Sequence, residues 1–141
     1  MNSCWRTWIK TAKITYIDSS VALARLLFEP RAPPLEFWRA PLVSSRLLEY
    51  EVWNRVHAYR LAASHGDSAR LLLTGIELLE MDRRVLARAL QPWPIAIRTL
   101  DALHLATLEH LRSQGGSVEL ASYDNRLLAA ARALDIVAAE L

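Results

Sequence analysis

Ile14-Thr15-Tyr16-Ile17-Asp18-Ser19-Ser20 is an apolar run that stops on a carboxylate followed by two hydroxyls. Residues 14–17 are short, β-branched and aromatic, which reads as a buried strand. Asp-Ser-Ser after it reads as a helix start, with the helix running from Ser19 or Ser20 through Phe28. The same unit recurs at Val118-Glu119-Leu120-Ala121-Ser122-Tyr123-Asp124. There the strand covers residues 118–122 and a helix follows from Asn125 to about Leu134.

Working outward, the six prolines fall in two places: Pro30, Pro33, Pro34 and Pro41 break residues 29–41 into loop, and Pro92 and Pro94 interrupt residues 91–97. A short strand is expected near Leu42-Val43. Ser44 or Ser45 then caps a helix reaching about Ser64, Gly66-Asp67 punctuates, and a second helix runs to about Thr74. Asp82 caps a short helix ending near Leu90. Thr99 is the expected cap of a strongly apolar helix, Leu100-Asp101-Ala102-Leu103-His104-Leu105-Ala106, which stops at Gly115-Gly116. A final strand lies near Ile136-Val137. Strands alternating with helices imply an α/β domain with a largely parallel sheet.

Composition sets the outer bounds. The 141 residues, 52% hydrophobic and 23% charged, suit one domain with a substantial core. No window approaches a membrane span, the start lacks an apolar secretory segment, and the single Cys4 forms no internal disulfide, so a cytoplasmic protein is expected. Residues 1–13 carry Arg6, Lys10 and Lys13 without an acid, leaving the rest of the chain near neutral. They read as a basic N-terminal arm or a mis-called start, and residues 14–141 as the domain. Without a basic tract, any nucleic-acid contact must come from individual arginines. With only Lys10 and Lys13 as lysines, a phosphoacceptor domain with its late lysine is excluded. The four glycines form no phosphate-cradling loop.

What remains is a set of acids in costly places. Asp18 and Asp124 end strands, Asp101 opens an apolar helix, and Glu51 lies in an apolar segment. Each has a plain explanation alone: Asp18 and Asp124 as helix caps, Asp101 as a first-turn acid favoured by the helix dipole, and Glu51 as an ion-pair partner of Arg55. Taken together, Asp18 and Asp124 share the carboxyl edge of a parallel sheet, where ligands collect. Like charges about 5 Å apart repel by roughly 3 kcal/mol per pair at an effective dielectric near 20. Such a cluster calls for a cation or raised pKa values, and an all-oxygen site suggests a divalent metal and phosphate chemistry. Glu49 competes with Glu51, which helical spacing sets inside the apolar arc of Leu47, Leu48, Val52 and Val56 and is preferred here.

These residues resemble the motifs of PIN-domain nucleases. Ile-Asp-Ser-Ser-Val at 17–21 is similar to the first motif, and Ser45-Arg46-Leu47 through Glu51-Val52 to the second. Arg98-Thr99-Leu100-Asp101-Ala102-Leu103-His104-Leu105-Ala106 is the most specific stretch. Ser122-Tyr123-Asp124-Asn125-Arg126-Leu127 resembles the last, with Ser122 where Thr is usual. Order and spacing match across residues 14–137, and overall size resembles the VapC-type toxins of toxin–antitoxin pairs. The resemblance implies a three-layer α/β/α PIN-like domain whose four carboxylates, Asp18, Glu51, Asp101 and Asp124, gather around Mg²⁺ or Mn²⁺. It further implies an endoribonuclease acting on RNA, a homodimer, and a cognate VapB-like antitoxin.

Around that set, Ser19 and Ser122 are candidate hydrogen-bond partners of a carboxylate or a metal-bound water. Arg46, Arg98 and Arg126 are candidate substrate contacts, each equally readable as solvated charge. His104, one turn beyond Asp101, could orient Asp101 or a water, and is also readable as a satisfied core histidine. Trp38 and Trp53 could pack against an antitoxin or a second subunit, or merely cover the core edge. Two other readings stay open: a PIN-like nuclease of RNA processing without an antitoxin, and a catalytically weak PIN-like interaction module.

Overall fold

The computed structural model describes residues 13–141. Most of the basic N-terminal arm, with Cys4, Trp5 and Trp8, therefore lies outside the described residues. Lys13, assigned above to the arm, opens strand β1 (Lys13–Ile17) and pairs with Glu119 at 2.9 Å.

All five strands are parallel, in the order β3-β2-β1-β4-β5. β1 is flanked by β2 (Leu42–Ser45) and β4 (Ser117–Ala121), with β3 (Glu77–Leu79) and β5 (Val137–Ala138) at the edges. Period-2 alternation divides the core between the two faces. Ile14 and Tyr16 pack with Val118 and Leu120 beneath Leu105, Leu108, Leu111 and Leu127. Ile17 and Ala121 pack on the other side with Val21, Leu48, Val52, Val56 and Ala69. The first layer is supplied by α5 (Thr99–Ser113) and α6 (Asn125–Ala133), the second by α1 (Ser19–Leu26), α2 (Leu47–Ala58) and α3 (Ala62–Thr74). This is the expected three-layer α/β/α architecture. A short α4 (Arg83–Ala89), capped by the Asp82 side chain on Val85 N–H at 3.0 Å, packs beside α5.

The strand order creates the site. From β1 the chain moves outward to β2 and β3, then returns to β4 and β5 on the other side of β1. The connections leaving β1 and β4 therefore diverge to opposite faces and open a crevice at their carboxyl ends, the usual ligand position in such sheets.

Several local expectations are corrected. The first helix stops at Leu26 rather than Phe28, because Phe28 adopts φ +53° ahead of the prolines. The helix expected to reach Ser64 ends at Ala58, where Arg60 turns with φ +56°. Gly66, read as punctuation, is buried inside α3 against Trp53. Thr99 is the first helical residue of α5, and Arg98 occupies the cap position without a side-chain hydrogen bond. β3, three residues at the sheet edge with no alternation to mark it, carries no signal in the sequence. α5 does stop before the two glycines, with Gly115 at φ +99°, a backbone conformation that glycine adopts freely.

Candidate active site

Asp18 ends β1 and caps α1, but its burial separates it from an ordinary cap. Asp82, which caps α4, is exposed, whereas Asp18 is only 5% exposed. Its cap bond from Val21 N–H is long, 3.4 Å. The strong contacts come from two hydroxyls: Ser20 Oγ donates to Oδ1 and Ser122 Oγ donates to Oδ2, both at 2.6 Å. Each hydroxyl also accepts a backbone N–H from the turn after β4, Ser20 from Tyr123 and Ser122 from Asp124, both at 2.9 Å. Those N–H groups occupy hydroxyl lone pairs, leaving the hydroxyl hydrogens for the carboxylate. Burial still pushes the Asp18 carboxyl above its usual value, against the pull of Ser122, Ser20 and the nearby His104.

Asp124 begins α6, accepting from Arg126 N–H at 2.9 Å and Leu127 N–H at 3.4 Å. Asp101 sits half-buried in the first turn of α5, its carboxyl raised first by burial and next by the Asp124 charge.

Glu51 and Glu49, left in competition by helical spacing, go different ways. Glu49 accepts from Arg46, which also donates to Glu80 at 2.9 and 3.1 Å. Glu51 turns towards Asp18's side of the sheet. Its Oε2 accepts from Ser19 Oγ at 3.4 Å, and its Oε1 lies 2.5 Å from His104 Nε2. His104 Nδ1 lies 2.7 Å from the Tyr16 hydroxyl, which accepts Ser45 N–H at 3.2 Å. His104 thus meets Glu51 rather than Asp101, in a buried polar network that no sequence spacing marks. Ser20 and Tyr16 are the other participants missed. The only signal for Ser20 was its place in the Asp-Ser-Ser string.

The three candidate arginines also divide. Arg46 is spent on Glu49 and Glu80. Arg98 and Arg126 are exposed and, with Asp101, Ile95, Ile97 and Asn125, line a cleft of about 560 Å³. A larger cavity of about 610 Å³, walled by Phe28, Leu35, Trp38 and Leu71, is apolar and holds none of the four acids. Trp38 packs there beneath Arg25, and Trp53 stacks on His57 beneath Arg70.

Among the described residues no three Asp, Glu, His or Cys side chains converge closely enough to cage a metal ion. Glu51 is held by His104 and Ser19. The donors nonetheless fit a hard dication, because Mg²⁺ takes one or two direct carboxylates and keeps several waters. Asp18, Asp101 and Asp124 are the residues suited to that arrangement.

Comparison with known proteins places this geometry in a family. The PIN domain family matches residues 15–133. Ribonuclease VapC46 of Mycobacterium tuberculosis is 37% identical over 126 residues, covering 84% of this chain and 91% of that protein. Ribonuclease VapC47 of the same species is 29% identical, covering 88% and 94%. Among solved structures, a toxin-antitoxin complex from Klebsiella pneumoniae shares the fold, with TM-score 0.60 at 17% identity over 84% of this chain and 93% of that one. A crevice between β1 and β4 holding a buried aspartate, on a chain matched by these relatives over most of its length, makes this protein a member of the PIN domain family, of the VapC type.

Proposed function

We propose that the chain is a divalent-metal-dependent endoribonuclease, the toxin of a VapBC-type pair, working as a homodimer restrained by a VapB-like antitoxin. The observation that carries this reading is Asp18: a carboxylate buried in the sheet crevice and held by two serine hydroxyls, one of which also accepts the Asp124 N–H, while the Asp124 charge in turn raises the Asp101 carboxyl. The names of the relatives, ribonucleases and a toxin-antitoxin complex, support RNA as substrate and an antitoxin as partner.

In the mechanism, Asp18, Asp101 and Asp124 would hold Mg²⁺ or Mn²⁺, with Glu51 acting directly or through water. When bound, the ion supplies Lewis acidity at the phosphodiester and eases deprotonation of water. The chain's own work is orientation. Ser20 and Ser122 fix both Asp18 oxygens, and Ser19 with His104 fixes Glu51. Arg98 and Arg126 offer guanidinium forks to the RNA backbone in the cleft beside Asp101.

The test is cleavage of total RNA by the purified chain with Mg²⁺ or Mn²⁺, with EDTA as control. Asp18→Asn, Asp101→Asn and Glu51→Gln are expected to lose about 100-fold or more, several kcal/mol of transition-state stabilisation. Glu49→Gln should stay near wild type. Wild-type rates in Asp18→Asn, or undiminished cleavage in EDTA, defeat the reading. An interaction module would show neither cleavage nor a rise in Tm with Mn²⁺.

A further inference from the structure

The hydrogen bonds running from β2 to Glu51 have a direction. Ser45 N–H is a backbone group and can only donate, so the Tyr16 oxygen accepts it. Tyr16 is fully buried, and burial holds its phenol well above the usual range, so it keeps its hydrogen. The neighbouring Ser44 hydroxyl gives its own hydrogen to Ile17 C=O at 2.6 Å and offers none to Tyr16. The one Tyr16 hydrogen has its short contact at His104 Nδ1, 2.7 Å away. At the other end an ionised Glu51 can only accept, so His104 Nε2, 2.5 Å from it, must carry a hydrogen. Both ends demand the same tautomer.

We propose that Tyr16 and His104 are positioning residues: a one-way relay from the β2 backbone that locks His104 as the neutral Nε2–H tautomer and aims Glu51 at the metal crevice. This rests on the nuclease reading above only for its consequence, not for its geometry. Partners of this kind hold ligating carboxylates in place, and losing one typically costs 10–100-fold in metal affinity or activity. The relay also gives β1 a task beyond ending in Asp18. Through Tyr16 the same strand orients an acid carried by α2, so two of the four acids are referenced to one rigid element.

Nitrogen-15 NMR of the full-length, metal-free chain reads the tautomer directly, with His104→Gln assigning the signal among the four histidines. Hydrogen on Nε2 and a bare Nδ1 are expected, and Tyr16→Phe should release a mixture of tautomers. Hydrogen on Nδ1 in the wild type overturns the proposal. Calorimetric titration with Mn²⁺ should show about 10–100-fold weaker binding for Tyr16→Phe and His104→Leu. His104→Gln, whose amide N–H reaches towards Glu51, should recover much of the loss. A Tyr16→Phe variant that binds Mn²⁺ and cleaves like wild type, while Glu51→Gln does not, refutes the relay and leaves the nuclease reading standing. If Glu51→Gln is also silent, Glu51's role in the nuclease reading fails, and the NMR result still decides the relay by itself.

Discussion

Ser122→Ala removes one hydroxyl that carries two bonds in a buried part of the site. Ser122 and Asp18 are each only 5% exposed, so water cannot readily replace what is lost. The O–H···O⁻ contact to Asp18 Oδ2 is 2.6 Å, and a hydrogen bond to a charged group is worth about 1.5–3 kcal/mol. The hydroxyl's second bond, from Asp124 N–H at 2.9 Å, is partly recoverable from solvent because Asp124 lies nearer the surface. We therefore expect a loss of about 2–3 kcal/mol at neutral pH without metal. The pH dependence has a definite sign. The Ser122 bond lowers the Asp18 pKa, so removing it raises further a value already above that of the unfolded chain. The folded state then holds the proton more tightly than the unfolded one, and the penalty falls on the ionised form. The gap between variant and wild type should be full above the raised Asp18 pKa and narrow as pH falls through it. Urea unfolding in EDTA, followed by tryptophan fluorescence, measures it, with Ser122→Thr as the control that keeps the hydroxyl. A loss under about 0.5 kcal/mol at neutral pH, or a gap that widens in acid, would refute the reasoning.

Asp101→Asn should stabilise the metal-free chain at neutral pH by about 0.5–1 kcal/mol, by relieving the burial of a charge and then the repulsion from Asp124, both discounted for partial exposure. Because the folded Asp101 pKa is raised, wild type loses stability relative to the variant as pH climbs through it; thermal melts across pH show this, and Mn²⁺ should raise Tm only for wild type. Arg98→Ala and Arg126→Ala should each reduce the salt dependence of single-stranded RNA binding by a slope of about 0.7, read by fluorescence anisotropy. Arg46→Ala should leave that slope unchanged, since Glu49 and Glu80 already hold its guanidinium. Gly66→Ala should stabilise α3 by about 0.5–1 kcal/mol in a urea titration, because the new Cβ would meet Trp53 and Arg70 at 3.6 Å, ordinary contact.

The succession of elements was legible because its signals are local. An apolar strand ending in Asp-Ser-Ser needs only its own residues to announce a strand and a capped helix, and the unit around Asp124 repeats the message. Chain order then implied a parallel sheet with both aspartates at its carboxyl edge. The partners of those acids were not legible in the same way. Glu51 meets His104 from 53 positions away along the chain, and Ser122 meets Asp18 from 104. Helical spacing could rank Glu51 above Glu49, yet only the fold, which brings Glu51 of α2 to His104 of α5 from the opposite layer, turns one towards His104 and leaves the other with Arg46. Ser19 and Ser20 are adjacent hydroxyls, and the first turn of α1 sends one to Glu51 and the other to Asp18. Residue type and local period thus determined which elements form and where charge must sit. Which hydrogen bonds hold that charge was decided only when separate elements met, because a hydrogen bond depends on tenths of an ångström that no one segment contains.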